Sequence, residues 1–367
     1  MKKIFTLLTI SVLSLLMAFA VGCGGEENKG NWGGEQGGEQ GGHTHSFTVA
    51  CAWFDEDHTF VKQYECDVEG CDVKGVEKTA VEISTEEQLR SIAGPITRGE
   101  LSTSKFLIMN NITLTSAFTP ITIPNRAGET FEFASGTTQP VTISNLTVNA
   151  QQAGFFGKVS GSLKVKDIHF DNATITGSQY GGVVVGEFNF SAKQQVSIAN
   201  CDVTNSTVNG KLYAGGVYGT ASSTSASSSF TQIDIQDTAV SNTTISSSEG
   251  YAGGFAGAFG NPNGTLQTIN ISINIYTGAV TGCTITSEVT NGAGLCMGYI
   301  GYANGILDDS TFNYAGEVSG YKNNTVNGVS MTGVNRIYGK SGWNSTTDKS
   351  SVNCITGASV VYDAQYA

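Results

Sequence analysis

One feature constrains this chain more than any other: a short glycine-bounded motif that keeps returning. It reads Ala153-Gly154-Phe155-Phe156-Gly157, then Gly181-Gly182-Val183-Val184-Val185-Gly186, Ala214-Gly215-Gly216-Val217-Tyr218-Gly219, Ala252-Gly253-Gly254-Phe255-Ala256-Gly257 and Gly292-Ala293-Gly294-Leu295-Cys296-Met297-Gly298. Measured between Gly154, Gly182, Gly216, Gly254 and Gly294, the steps are 28, 34, 38 and 40 residues. Recurrence at such intervals is the signature of stacked structural repeats. The motif is never followed by a Lys-Ser/Thr pair or a capped helix, which excludes a phosphate-cradling loop.

Between the motifs lie alternating strand patterns and an Asn/Thr-rich run. Leu163 to Phe170 is followed by Asn172-Ala173-Thr174-Ile175-Thr176-Gly177, Val196 to Val203 by Asn205-Ser206-Thr207-Val208-Asn209-Gly210, and Ile233 to Val240 by Asn242-Thr243-Thr244-Ile245. Three short strands per repeat predict one triangular coil of a parallel stack, apolar inside and polar outside. The glycines are expected at its corners, where positive φ or close backbone approach excludes a Cβ. Asn172, Asn205 and Asn242 hold one place in the repeat and predict a ladder of stacked amides. Insertions at Thr220 to Ser229 and Phe259 to Thr265 are expected at corners, on the default binding face of a solenoid. With the entry segments and the tail through Val360, the pattern gives roughly eight coils.

Composition supports an all-β reading. Of 367 residues, 47 are Gly and 5 Pro, and charged residues make up 14%. So little charge argues against generic disorder, and so much glycine against long helices. The formal net charge of −12 excludes nucleic acid as a partner, since phosphate binding needs a basic face.

The amino terminus carries an address. Lys2 and Lys3 precede an apolar run from Ile4 to Ala20, too short and wrongly flanked for a permanent membrane span, in the pattern of a secretory signal. Ala20-Val21-Gly22-Cys23 resembles the lipobox of bacterial lipoproteins. That resemblance implies a signal peptide over 1–22 and acylation of Cys23, and each buried acyl CH₂ adds about 0.8 kcal/mol of membrane affinity. Gly24 after the cysteine and Glu26-Glu27 beyond it resemble signals for export to the outer membrane and the cell surface. Residues 23–42, with repeated Gly-Gly-Glu-Gln, form a flexible linker reaching about 25 Å.

Residues 43–80 hold His43, His45, Cys51, Trp53, His58, Cys66 and Cys71. The runs Phe47 to Phe54 and Thr59 to Glu65, separated by Asp55-Glu56-Asp57, predict a small antiparallel strand pair. The stretch resembles a short His/Trp/Cys module of bacterial surface proteins, with Cys66-x4-Cys71 in place of the usual Cys-x-x-Cys. His45, His58, Cys66 and Cys71 form a candidate structural zinc site of two nitrogens and two sulfurs. A disulfide among Cys51, Cys66 and Cys71 competes with it in an oxidising compartment, as does simple packing.

The repeat domain, 81–367, opens on Ser84-Thr85-Glu86-Glu87-Gln88-Leu89, where Ser84 with Glu87 or Thr85 with Gln88 makes a capping box. A helix of about two turns is predicted, stopped by Gly94-Pro95 and placed to plug the first coil. Strand runs follow at Phe106 to Leu114, Pro120 to Ile123, Thr130 to Phe133 and Val141 to Val148. From Ser84 to Gly157, the order of capped helix, Asn-Ile-Thr-Leu strand, Ile-x-Asn-Leu-Thr-Val strand and Gly-Phe-Phe-Gly resembles a bacterial surface family. Its members carry glycine-rich, GLUG-like repeats that form a pectin-lyase-like right-handed parallel β-helix. The resemblance implies a lipid-anchored, surface-exposed outer-membrane protein, adhesin-like and non-catalytic, that presents a β-helix face to glycan or protein.

Some β-helices are polysaccharide lyases or hydrolases. Such chemistry needs paired carboxylates, or a carboxylate-held Ca²⁺ with a basic residue. In the repeats the only adjacent carboxylates are Asp308-Asp309, which point to opposite faces of a strand. His169 is expected as a surface histidine, and Arg336 and Lys340 have no partner in the pattern. The expectation is therefore no enzyme, no required cofactor, and the membrane plus an extracellular glycan or protein as partners; the alternatives are a minimal or degenerate polysaccharide lyase or hydrolase, or a purely structural protein of the envelope. Cys201, Cys283, Cys296 and Cys354 are expected as buried free thiols. Tyr180, Tyr213, Tyr251 and Tyr302, beside the glycine motifs, form a candidate aromatic row that either faces a ligand or packs on itself.

Overall fold

The computed structural model describes residues 50–54, 60–64, 68, 80–98, 103–191, 193–223, 231–259, 271–276, 278–290, 292–300, 311–315, 321–331, 338–341 and 351–354. The chain divides into two compact units, residues 1–53 with 61–78, and residues 54–60 with 79–367. The strands Ala50–Phe54 and Phe60–Tyr64 pair as a two-stranded sheet, where the sequence places a strand pair.

The larger unit is built almost wholly of strands in four further sheets, and all but one of their strand pairings are parallel. Sheet I has nine strands, from Val81–Ile83 to Ser351–Cys354; sheet II has seven, from Ile112–Thr113 to Tyr321–Lys322. Sheet III, of ten strands, starts at Thr147–Ala153 and ends in the antiparallel pair Asn324–Val326 and Val329–Met331; sheet IV has seven, from Ile121–Ile123 to Tyr338–Ser341. The chain visits them in rotation: Phe156–Val159 lies in IV, Ser162–Lys166 in I, Ile168–Asp171 in II, Thr174–Gly182 in III, and Val185–Phe190 is in IV again. Each circuit adds one layer to every sheet, the order expected of a β-helix or solenoid. Four sheets replace the three expected, because runs that read as single strands bend in the middle. Val141 to Val148 is split at Asn145, whose φ of 61° turns the chain from sheet II into sheet III.

Inward positions stack like on like. In sheet I, Phe106, Phe133, Val165, Ile198, Ile235 and Ile275 lie in register and are fully buried. Sheet III contributes Val148, Ile175, Val208, Ile245, Ile285 and Val326 in the same way. Aromatics pack in the first circuits, where Phe106 stacks on Phe133 at 4.6 Å and Phe155 meets Phe156 edge-on at 4.8 Å. Burial of this contiguous column supplies the main driving force for the stack.

The glycine motif does only one of the two jobs expected of it. None of its glycines has positive φ; most instead lie where the backbone of a neighbouring circuit comes too close for a Cβ. A Cβ on Gly257 would sit 2.5 Å from Ala214 N, and one on Gly298 would sit 2.5 Å from Ala252 N. Register also aligns Gly182 with Gly215 and Gly253, one residue earlier than the double glycines suggested. Left-handed corners fall to asparagine: Asn145, Asn172, Asn205, Asn242 and Asn323 between sheets II and III, with Gly282 in the same row, and Asp167, Asn200 and Asp237 between I and II. Short Asx side chains tolerate that conformation because they hydrogen-bond locally.

The expected amide ladder is present at the outer corner but is discontinuous. Asn172 Nδ2 donates to Asn145 Oδ1 at 2.8 Å and Asn242 Nδ2 to Asn205 Oδ1 at 3.5 Å, while Asn205 Nδ2 turns to Asp171 Oδ1 at 2.8 Å. A second ladder, inside the corner, lies one residue further on. Ser206 Oγ accepts from Ala173 N at 3.0 Å, Thr243 Oγ1 from Ser206 N at 3.4 Å, and Asn324 Oδ1 from Cys283 N at 2.9 Å. These side chains are buried and satisfy amides that a corner would otherwise orphan.

Helix α1 (Glu86–Arg98) is longer than predicted and runs through Gly94-Pro95. Leu89, Ile92, Ala93 and Ile96 fall on one face and are buried, and keeping Ile96 in the core outweighs the hydrogen bond lost at Pro95. Thr85 is the N-cap: its Oγ1 accepts from Gln88 N at 3.2 Å, and Gln88 Oε1 accepts from Ser84 N at 2.7 Å. The helix lies against the first strand of sheet IV, Ile121–Ile123, where Thr97 Oγ1 accepts from Thr122 N at 3.2 Å, so part of that edge is covered. The segment Thr220–Ser223, expected in a loop, extends the strand Tyr218–Ser223.

Candidate functional site

Because inward positions are apolar, whatever the larger unit recognises must meet its outward positions. On sheet I those positions enclose a shallow depression of ≈ 190 Å³ lined by Thr130, Lys164, Gln195, Ser197, Gln232 and Asp234. Gln232 Nε2 donates to both Asp234 oxygens, at 3.0 and 2.8 Å. The carboxylate is thereby held beside the amides, with one cation at the opposite edge. The surface is polar and hydrogen-bonding, and Asp234 is its one lining carboxylate, so it offers no acid–base pair.

The corner between sheets I and II gathers the densest set of ionisable groups. His169 Nε2 lies 4.0 Å from Asp202 Oδ2 and 3.5 Å from Asn200 Oδ1. Asn200 Nδ2 donates to Asp167 Oδ1 at 2.8 Å, and Asp167 Oδ2 is 3.6 Å from Lys166 Nζ. His169 is half-buried rather than a freely solvated surface residue. Asp202 is also committed to structure, since its Oδ1 accepts from Ala239 N at 2.8 Å. No described hydroxyl or thiol hydrogen-bonds to the imidazole, so the cluster has the base of a hydrolytic site without its nucleophile. Nearby, Asp171 has its pKa lowered, first by the Thr204 hydroxyl at 2.7 Å and then by Asn205.

The tyrosines pack on themselves, in the crevice beside the glycine motif. Tyr180 stacks on Tyr213 with centroids at 5.3 Å, Tyr213 on Tyr251 at 6.1 Å, and Tyr251 meets Tyr299 at 4.7 Å. Tyr302 lies outside the described residues, and Tyr299 takes the fourth place. It does so from sheet IV, because the sheet III position following Tyr251 in the stack is Gly292. At the other end of the row Glu187 is 6% exposed and accepts from Asn189 Nδ2 at 3.0 Å. Burial, and then the Glu187 charge, raise the pKa of Tyr180. Next to Glu187 in register, the buried Thr220 hydroxyl has no hydrogen-bond partner.

Of the sites read from sequence, Cys23, His45, His58, Cys66 and Cys71 lie outside the described residues, as do Asp308, Asp309 and Arg336. Among the described residues there is no group of three or more His, Cys, Asp or Glu able to hold a metal, and no helix long and apolar enough to cross a membrane. Cys201, Cys283 and Cys296 are buried free thiols, as expected. Burial pushes Cys201 up to about 12 and Cys283 to about 11, so neither is a nucleophile at neutral pH. The inner ladder was not read from the sequence; its signal was the dipeptide Asn-Ser, Asn-Thr or Asn-Asn at one place in successive circuits.

No protein-family model and no curated protein matches the chain. Among solved structures it is similar to one described as a "putative immunoglobulin A1 protease" from Bacteroides ovatus, at 18% identity and a TM-score of 0.40, over 71% of this chain and 83% of that one. A likeness this loose carries no argument about activity.

Proposed function

We propose that this chain is a non-catalytic, lipid-anchored protein of the bacterial outer membrane that displays a binding face at the cell surface. In this reading the four parallel sheets close into a right-handed β-helix of roughly eight coils. Cys23 is acylated, 23–42 is the spacer, and either a structural zinc on His45, His58, Cys66 and Cys71 or a disulfide closes the small module at 43–80. The helix face meets an extracellular glycan or protein in the manner of an adhesin.

The observation that supports this most is the division of labour in the sheets. Inward positions carry most of the packing, and on sheets I and III this leaves outward rows of exposed or half-buried polar side chains. Rigid rows lose little entropy on binding. The ionisable groups that do cluster, around His169, are tied to backbone and to each other. Screening the full chain against glycan and host-protein arrays tests the reading. Saturable binding to either class is expected; binding to neither, or release of cleaved product, would overturn it.

A further inference from the structure

The outward positions of sheet III differ from those of the other sheets. Thr147, Thr174, Thr207, Thr244, Thr284 and Thr325 stand in register in six successive circuits. Two residues along, on the same face, Asn149, Thr176, Asn209, Ser246 and Thr286 form a second column. Every one of these side chains is exposed or half-buried, and neither column contains a charge or an aromatic ring.

Strand-forming preference does not account for this. Threonine favours strands and stacked threonines support one another, but that preference acts on every sheet. The equivalent column of sheet I reads Lys105, Glu132, Lys164, Ser197 and Asp234, then Asn274, Asn313 and Asn353. That of sheet II reads Thr113, Ser144, Asp171, Thr204, Ser241, Thr281 and Lys322. Both place charged side chains among their hydroxyls and amides, where sheet III has none. A stack of the same construction therefore folds with unlike residues outside, and the uniformity of sheet III needs another cause.

The columns are free to act. Thr147 Oγ1 reaches Asn145 O at 3.5 Å and Ser246 Oγ bonds Asn209 Oδ1 at 2.6 Å, while the hydroxyls of Thr174, Thr207, Thr244 and Thr284 make no hydrogen bond within the chain among the described residues. β-Branching restricts their χ1, so the hydroxyls repeat with the strand spacing, and six of them span about 24 Å along the stack. Hydroxyl and amide groups both donate and accept. The matching partner bears neutral donor–acceptor groups at short, regular intervals along a line.

We propose that this face binds an extended, neutral, linear polysaccharide laid along the stack, its hydroxyls pairing with the threonine column and its edge with the Asn/Thr column. Absence of charge on the face disfavours uronic, sulfated or phosphorylated chains, which would lose hydration with no cation to offset it. The inference rests on the glycan-binding reading above and narrows it to one face and one ligand class.

The test is retention of the full chain, in detergent, on microcrystalline cellulose, linear mannan and dextran, with alginate as the anionic probe. The variant replaces Thr174, Thr207, Thr244 and Thr284 by Val, which keeps the β-branched shape and strand preference. A second variant, Lys105→Glu with Glu132→Lys, reverses an exposed ion pair on sheet I instead. Expected is binding to at least one neutral probe and none to alginate, weakened about tenfold or more by the valines, since each lost hydrogen bond weakens binding severalfold. The sheet I variant keeps wild-type binding, and circular dichroism shows both folded. A neutral probe held equally by the valine variant would overturn the assignment of this face while leaving glycan binding intact. Binding to alginate alone, to no glycan, or to growing ice crystals without any polysaccharide would overturn the ligand class, and only failure on the protein array as well would remove the broader function.

Discussion

Gly257→Ala tests the packing of the glycine motif most sharply. The added Cβ would lie 2.5 Å from Ala214 N, 2.6 Å from Gly219 O and 2.9 Å from Tyr213 C. All three are backbone atoms of the preceding circuit, so no rotamer change relieves them. Relief requires the two circuits to part by several tenths of an ångström, against the pairing of Tyr218 with Ala256 and Thr220 with Ala258. Overpacking of this kind costs about 3 kcal/mol, the upper end for a small-to-large change, because backbone must move. In a unit of this size that lowers the melting temperature by about 5 °C. Gly278→Ala is the comparison: its Cβ would meet the Phe255 ring at 2.7 Å, a side chain able to tilt, so about 1 kcal/mol is expected. Thermal unfolding followed by circular dichroism reads both. Equal melting of Gly257→Ala and the parent chain would refute close approach as the reason for glycine there.

Other predictions concern separate elements. Tyr299→Ala removes a ring that is 2% exposed and fills the place left by Gly292, and is expected to destabilise by about 3 kcal/mol, the scale for a buried aromatic cut to alanine. Denaturant unfolding checks it, and a change below about 0.5 kcal/mol would contradict the filling role. Cys201, raised from 9.0 to about 12 by burial, stays a thiol in the fold, so iodoacetamide at pH 8.5 labels it only after denaturation. The sign follows: its contribution is complete below pH 9 and drains as pH rises toward 12, because only the unfolded thiol ionises. A Cys201→Ala variant therefore loses less stability than the parent between pH 9 and 11. Asp171 has its pKa lowered from 3.8, so what it contributes is present above that value and is lost as pH falls through the lower folded pKa. Asp171→Asn flattens that acid limb, read by urea unfolding from pH 6 to 2. Cys23→Ala abolishes metabolic labelling with palmitate and releases the chain from the membrane fraction; unchanged labelling would refute the anchor.

Much of the architecture was legible because its causes are local and repeated. Alternation of apolar residues located the strands, and glycine recurrence located the circuits. The number of sheets was not legible, since Asn145 and its equivalents interrupt strand patterns without interrupting their apolar alternation. Which of the two expected reasons for the motif glycines applies was not legible either: glycine is required both where φ is positive and where backbones touch, and composition does not separate the two. Pro95 misled in the other direction, because burial of Ile96 comes from contacts distant in sequence. For the site, a threonine at one place per repeat reads as ordinary strand composition. Only register across circuits, set by insertions of varying length, makes it a column.

The claim that the chain binds without cutting is tested most directly by measuring ligand length and ligand retention in one experiment. The full chain is incubated overnight with a neutral linear polysaccharide that it retains, and the polymer is then sized by gel filtration. The account predicts polymer held by the chain and recovered at its starting length; shorter products that accumulate with time and protein concentration would contradict it.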